Sequence, residues 1–390
     1  MRRLPFMSNV VAGVAFAIWI YLICGRGRFW LCSVRDETIA PLPANWPRVA
    51  AIVPARDEAG CIGVAVRSLL RQDYPGALSV VVVDDDSSDG TAVIAKNAAA
   101  SVQNGRYATV IEGNGLPSGW TGKLWALKRG IAFAEARFQP EYVLLTDADI
   151  VHAPDVLSTL MARASAGGFV LTSLMAKLRC VSFAERSHVP AFVYFFQMLF
   201  PFPWICRDDL PTAAAAGGCM LVRTDTLRDS GGIDGVRNAL IDDCALARKL
   251  KARGPIWLGL TERVRSIRPY ENLSDARQMI SRSAYAQLRF SPLLLAMVVA
   301  SMILVFCAPP LVAILGHGLS RWMGIAAWLA MAVSFQPMLR FYRLSPLWGI
   351  ALPAIAVLYT IYTIDSAWQH VRRRGGAWKG RVHVNAPSVQ

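Results

Sequence analysis

Charge is scarce in this chain. Asp, Glu, Lys and Arg make up only 17% of its 390 residues, against 54% hydrophobic residues, and mean hydropathy is +0.36. That balance is too apolar for an ordinary soluble protein and points to a membrane. Acid is the scarcer sign, 27 residues against 41 basic ones, for a formal charge of +14. A basic surplus suits nucleic acid, an anionic bilayer or phosphorylated substrates. Here the arginines cluster beside apolar segments, which favours the bilayer and argues against nucleic acid. Paired cysteines are missing too: the eight cysteines are scattered, with no C-x-x-C. That excludes an obvious zinc site or disulfide framework and suits a reducing compartment. No repeat or low-complexity tract is visible. The length accommodates one domain of about 200–250 residues plus extra elements.

The apolar residues are concentrated at the two ends. Residues 4–25 carry no charge, long enough to cross a bilayer core of about 30 Å, and Arg26 and Arg28 follow in place of a small-residue cleavage site. We therefore expect a retained anchor over 1–28 rather than a secretory signal. Three more uncharged stretches are 290–320, which contains Pro309-Pro310, then 322–339 and 344–364. The last is flanked by Arg340 and Arg343 on one side and Arg372 to Arg374 on the other. Basic residues prefer the cytoplasmic face, so both flanks cannot be cytoplasmic if this stretch spans. It is a third span or a re-entrant or interfacial segment, giving two or three membrane segments over 290–367 before a basic tail, 368–390.

Between the anchors, 46–289 has globular composition and alternates strand and helix. Val49 to Val53, Leu78 to Val83, Tyr107 to Ile111 and Tyr142 to Leu145 read as strands; Ile62 to Leu70, Thr91 to Ala99 and Leu124 to Ala136 read as helices. Ser88 or Asp89 is the expected cap of the second helix. The alternation predicts an α/β fold with a mostly parallel sheet, in which ligands bind at the carboxyl ends of strands.

Acidic clusters fall at those ends. Asp84-Asp85-Asp86 closes the second strand and continues to Asp89-Gly90-Thr91. A calcium loop fails, because the twelfth position from Asp85 is Lys96 rather than Glu. A helix cap is the plain alternative, but three adjacent carboxylates repel one another. Asp147-Ala148-Asp149 follows the fourth strand. Alternate residues in extended chain point the same way, so this pair could share a Mg²⁺ or Mn²⁺ and leave positions open for phosphate oxygens. Asp242-Asp243 opens an apparent helix, where acids are ordinary; a general base that deprotonates a hydroxyl is the other reading.

In order, Pro54-Ala-Arg56-Asp-Glu58, Asp84-Asp85-Asp-Ser-Ser-Asp-Gly-Thr91, Gly122-Lys123, Asp147-Ala-Asp149, Gly217-Gly218 and Asp242-Asp243 resemble the family 2 inverting glycosyltransferases over roughly residues 48–290. The resemblance implies a GT-A fold, a nucleotide-sugar donor such as a UDP-sugar, and a divalent metal. It puts Pro54, Arg56 and Glu58 in the nucleoside pocket, Asp85 on the base edge, Lys123 on the donor side, Asp149 on the metal with Asp147 beside it, and Asp243 as catalytic base. Asp57 and Asp242 depart from the usual Asn and Glu without removing a required charge.

A finer resemblance, to the hopene-associated glycosyltransferases of hopanoid-making bacteria, rests on Gly-Trp120-Thr-Gly-Lys123-Leu-Trp125-Ala, on Arg282-Ser-Ala-Tyr285-Ala-Gln287-Leu-Arg289-Phe-Ser-Pro, and on Ala-Trp378-Lys-Gly-Arg381. It implies a lipid acceptor, a hopanoid or other polyprenoid, and a bacterial inner membrane with the catalytic domain in the cytoplasm. Trp120 and Trp125 either pack or lie near the donor sugar. Arg282 and Arg289 either snorkel to the interface or meet the diphosphate. The processive signature Q-x-x-R-W is absent, since Gln287-Leu-Arg289-Phe-Ser stands there; a polysaccharide synthase is thus the lesser alternative, with a non-catalytic nucleotide-binding scaffold as another. The aromatic stretch 183–206 reads as a core helix or as a segment in the membrane interface, and His188 within it reads as structural or interfacial.

Overall fold

The computed structural model describes residues 3–37, 40–102, 106, 108–113, 115–237, 239 and 241–372. Tyr107 and the tail from residue 373, with Trp378 and Arg381, lie outside the described residues. In chain order the first elements are α1 (Arg3–Cys24), β1 (Val49–Ala55), α2 (Ile62–Leu70), β2 (Leu78–Asp84), α3 (Thr91–Ala100), β3 (Ala108–Glu112) and α4 (Gly122–Phe138). Then come β4 (Tyr142–Thr146), β5 (Ile150–His152), α5 (Val156–Gly167), β6 (Leu171–Lys177), α6 (Phe183–Leu199), α7 (Phe202–Ile205) and β7 (Cys219–Arg223). The chain continues through α8 (Thr224–Asp229), α9 (Asp242–Lys251), β8 (Ile256–Ser266), α10 (Leu273–Gln287), α11 (Pro292–Met302), α12 (Ala308–Leu315), α13 (Gly318–Phe341) and α14 (Leu352–Val371).

These elements form two compact units, each discontinuous in sequence. The α/β unit comprises Val34–Arg179 and Trp204–Pro269; the helical unit comprises the segment ending at Ser33, Cys180–Pro203 and the segment beginning at Tyr270.

In the α/β unit the strand order is β3-β2-β1-β4-β7-β6-β8-β5. The run Val80 to Val83 makes β2 apolar on both faces, as a strand covered on both sides requires, and all four valines are fully buried. Pro54 is tolerated within β1 because β1 pairs with β4 only from Val49 to Ile52, so no ladder bond is lost on that side. Helix α4 packs its Gly130 against the sheet: a Cβ there would lie 2.5 Å from Ile52 Cγ2 and 2.9 Å from Val83 Cγ2. Gly130→Ala should therefore cost about 1–3 kcal/mol of overpacking, partly offset by helix propensity. A thermal midpoint lowered by a few degrees is expected; an unchanged one would show that Ile52 and Val83 yield freely.

The sheet refines the expectation of a mostly parallel one. It is mixed: β1–β2, β1–β4, β2–β3 and β6–β8 are parallel, while β4–β7, β6–β7 and β5–β8 are antiparallel. The first four strands are joined by helical crossovers, the connection that parallel pairing needs. Beyond β4 the chain passes into β5 with no helix between them, and β7 enters between β4 and β6 antiparallel to both. The cap of α3 is corrected. Gly90, at φ 86°, occupies the N-cap, while the Asp89 carboxylate accepts from the Thr91 N–H at 3.0 Å.

Among the described residues, the helical unit contains three helices long and apolar enough to cross a membrane: Met7–Cys24, Pro292–Leu315 and Gly318–Phe341. The second joins α11 and α12 through a π-helical turn, Ile303–Cys307, just before Pro309-Pro310. There the prolines lack the N–H groups an uninterrupted α-helix would need. Helix α6 belongs to this unit and not to the α/β unit between whose segments it lies in sequence. It is capped reciprocally by Ser182 and Glu185, and His188 is buried between Tyr359 and Tyr362 of α14.

Candidate active site

The site of the α/β unit is built where β4 ends and α4 and α9 begin. Thr121 caps α4 by accepting from the Leu124 N–H at 3.2 Å, which places Lys123 in the first turn. Its Nζ lies 2.8 Å from Asp147 Oδ1 and 3.6 Å from Asp242 Oδ2. Asp243 accepts from the Gly217 N–H at 2.9 Å and from the Cys244 N–H at 2.7 Å. Gly217 leaves little space: a Cβ there would sit 3.3 Å from both Asp243 Oδ2 and Lys123 Nζ. Leu124, Leu127, Leu145, Met220, Ile233 and Val236 complete the walls of the pocket.

Three carboxylates around one ammonium perturb each other. Burial, and then the charge of Asp242, push Asp243 up to about 6, against the pull of Lys123 and the two N–H bonds. Burial also raises Asp147, with Lys123 opposing and Asp149 adding to the rise. Burial alone would favour neutral Lys123, but Asp147 and then Asp242 outweigh it and raise its pKa, so the ammonium persists. The result is one carboxyl poised to exchange a proton near neutral pH beside a fixed cation.

Asp149 is 8% exposed. Its Oδ2 accepts from Ser266 Oγ at 2.6 Å and lies 3.4 Å from Arg268 Nε. The same guanidinium reaches Glu58 Oε1 at 2.6 Å. Arg268 thus ties the Glu58 segment to the D-x-D pair. Sequence reading missed it and Ser266: they sit at and just beyond the end of β8, in no motif, and only the pairing of β8 with β5 brings them to Asp149.

The first acidic cluster forms an adjoining wall. Asp85 is almost fully buried, and Arg56 lies 3.7 Å from its carboxylate while donating to its carbonyl. The loops after β1 and β2 are stitched together. The Glu58 N–H donates to Thr91 Oγ1 at 2.8 Å, the Ala59 N–H to Asp89 at 2.9 Å, and the Ser88 N–H to Asp57 at 2.8 Å. Asp57 takes φ 49°, a left-handed conformation that Asn and Asp both tolerate, so the departure from Asn has no backbone consequence. Gly113 lets β3's exit pass close by, since a Cβ there would be 3.1 Å from Asp85 Cα.

Pro54, Arg56, Glu58, Asp85, Lys123, Asp147, Asp149, Asp242 and Asp243 thus all line the carboxyl-end region of this one sheet. Arg282 and Arg289 lie in the helical unit, exposed on α10 and just after it. Trp120 and Trp125 pack edge to face at 5.3 Å, with Lys128 over both rings. No group of three or more His, Cys, Asp or Glu gathers as a metal cage among the described residues. Asp147 and Asp149 do interact electrostatically, and two carboxylates are what a Mg²⁺ or Mn²⁺ uses when phosphate oxygens and water complete its shell. The donor set fits a cation that arrives with a diphosphate.

Comparison with known proteins agrees. Residues 50–231 match the family model for glycosyl transferase family 2. An N-acetylglucosaminyltransferase of Rhizobium leguminosarum bv. viciae is 33% identical over 133 residues, which is 32% of this chain but only 29% of that relative. The mannosyltransferase PcManGT from Pyrobaculum calidifontis, solved with GDP-Man and Mn²⁺, superposes with a TM-score of 0.56 at 21% identity. That match covers 93% of this chain and 99% of the other, a likeness of fold. The mixed sheet, the acids at its strand ends and the match over residues 50–231 make this part of the chain similar to the family 2 glycosyltransferases, with a fold like that of the solved mannosyltransferase.

Proposed function

We propose that the chain is a membrane-bound inverting glycosyltransferase that moves a sugar from a nucleotide-sugar, first of all a UDP-sugar, to the hydroxyl of a lipid, a hopanoid or other polyprenoid. The observation that carries this reading is Asp243, a carboxyl with a pKa pushed up to about 6 beside Lys123 and Asp147 in an apolar-walled pocket. A base must be ionised at working pH yet basic enough to take a proton, and a value near 6 meets both needs. Asp243 takes the hydroxyl proton as the acceptor oxygen bonds to the anomeric carbon. The bond from that carbon to the diphosphate oxygen breaks on the opposite face, so the configuration inverts. Lys123 stands beside Asp147 to offset the charge of the departing diphosphate. A divalent cation held by Asp149 and Asp147 would neutralise the same diphosphate. Pro54, Arg56, Glu58 and Asp85 form the wall proposed to receive the nucleoside.

The lipid acceptor is supported by the three apolar helices in the same chain and by the hopene-associated motifs. The same helices and the arginine-rich flanks support a bacterial inner membrane with the α/β unit in the cytoplasm. The relative's name makes N-acetylglucosamine the first sugar to test, and the solved relative makes GDP-mannose the second. Purified chain, Mn²⁺, each nucleotide-sugar and a bacterial lipid extract should give a glycolipid detectable by mass spectrometry. Neither transfer nor donor hydrolysis with any donor would overturn the reading. The rate should rise with pH through about 6, because protonated Asp243 cannot accept the hydroxyl proton. A profile flat from pH 5 to 8 would place the base elsewhere.

A further inference from the structure

Resting on the membrane reading above, we infer that residues 342–371 form a re-entrant element that enters and leaves the bilayer on one side, its outer face fitted to the acyl chains of a single leaflet. The argument starts from the helical hairpin. Gly316 and His317 join α12 to α13, and a Cβ at Gly324 would lie 2.7 Å from Ala313 N and 2.8 Å from Pro309 O. The two segments therefore run antiparallel in close contact, and Pro292 and Phe341 share one end.

The chain does not leave that end. Arg343 turns it with φ 57°, and it descends along the helix it has just completed. Gln336 Nε2 donates to Pro346 O at 3.1 Å, a Cβ at Gly349 would meet Ala332 O at 2.7 Å, and Trp328 Nε1 donates to Ile350 O at 3.2 Å. Trp328 precedes Phe341 by 341 − 328 = 13 residues, about 20 Å of helix. Helix α14 then climbs back. The Tyr285 N–H donates to Ser366 Oγ at 3.1 Å, and the His370 ring stacks on Phe290 at 4.3 Å. Phe290 stands just before Pro292, so α14 ends where α11 begins.

Two features suit hydrocarbon surroundings. Irregular backbone at membrane depth must find its partners within the protein; Trp328 and Gln336, polar groups in an apolar helix, supply donors to two of its carbonyls, and Ser345 Oγ accepts from the Leu347 N–H at 3.3 Å. On α14, Val357, Ile361, Ile364 and Trp368 are all 40% exposed or more and follow the helical spacing of one stripe. The acid in the element, Asp365, lies near the exit and is held by Arg277 through two bonds of 2.9 and 2.7 Å. Arg340, Arg343 and Arg372 then face one compartment, which removes the conflict between the two basic flanks.

The test uses the full chain in bacterial inner-membrane vesicles, with a protease site inserted after His317, after Arg343 or after Arg372. Cleavage after Arg343 and after Arg372 is expected in inverted vesicles, and cleavage after His317 in right-side-out vesicles. Sites after Arg343 and Arg372 cut from opposite sides, or a site after Arg343 cut from neither, would overturn the re-entrant element. Cleavage after His317 from the same side as after Arg343 would instead overturn the spanning hairpin and the membrane reading. Labelling of Ser345→Cys by an impermeant maleimide, above the unmodified chain, must give the same side as the Arg343 site; the opposite side counts against the inference.

Discussion

Asp243→Asn lowers the rate of sugar transfer by about 10²–10⁴-fold, the usual contribution of a general base, and leaves nucleotide affinity unchanged. The side chain is bound by the Gly217 and Cys244 N–H groups, and its proposed task concerns the acceptor hydroxyl rather than the donor. Asp242→Asn loses less, because Asp242 contacts Lys123 from 3.6 Å and supports the site's charge balance. A cap role would give another pattern: each substitution would cost roughly 0.5–2 kcal/mol of stability and lost activity would follow lost folding. The pH dependence separates the two. The folded-state pKa of Asp243 is raised to about 6, so its protonation stabilises the fold at low pH. That contribution, of order 3 kcal/mol by the linkage of about 1.4 kcal/mol per unit, is lost as pH rises through 6. Wild type should therefore lose thermal stability relative to Asp243→Asn between pH 5 and 7. A variant with near-normal turnover at pH 7.5 would end the assignment of Asp243 as base.

Asp149→Ala removes the cation-dependent part of donor binding. Loss of an outer partner of a metal ligand typically costs 10–100-fold in metal affinity, so loss of a ligand itself should exceed about 100-fold. Titration calorimetry of UDP with and without Mn²⁺ isolates the effect: wild type should gain affinity from Mn²⁺ and the variant should not. Asp149 also anchors Ser266 and Arg268, so a folding defect is the rival cause. Ser266→Ala controls for it, since it breaks the 2.6 Å bond while leaving the carboxylate in place. If Asp149→Ala still shows the full Mn²⁺ gain, the cation is held elsewhere.

Much was written in local pattern. The first four strands and their helices follow from apolar runs and periodicity, and the helix Ile62–Leu70 begins and ends where the sequence reading puts it. The acids at strand ends are equally local, because a strand that closes in Asp delivers that carboxylate to the carboxyl edge of the sheet whatever follows. The three long apolar helices needed only composition and length.

Other features exist only in three dimensions. The antiparallel entry of β7 depends on which neighbours an edge finds, and no run of residues encodes that choice alone. Arg268 reaches Glu58 across a sequence separation of 210 residues, a contact made by sheet order. Helix α6 is apolar enough to suit a core or an interface; its packing in the helical unit decided between units. The raised pKa of Asp243 is the strongest case. A carboxyl in sequence carries its ordinary value, and only burial beside Asp242, with Lys123 too weak to compensate, moved it toward neutrality.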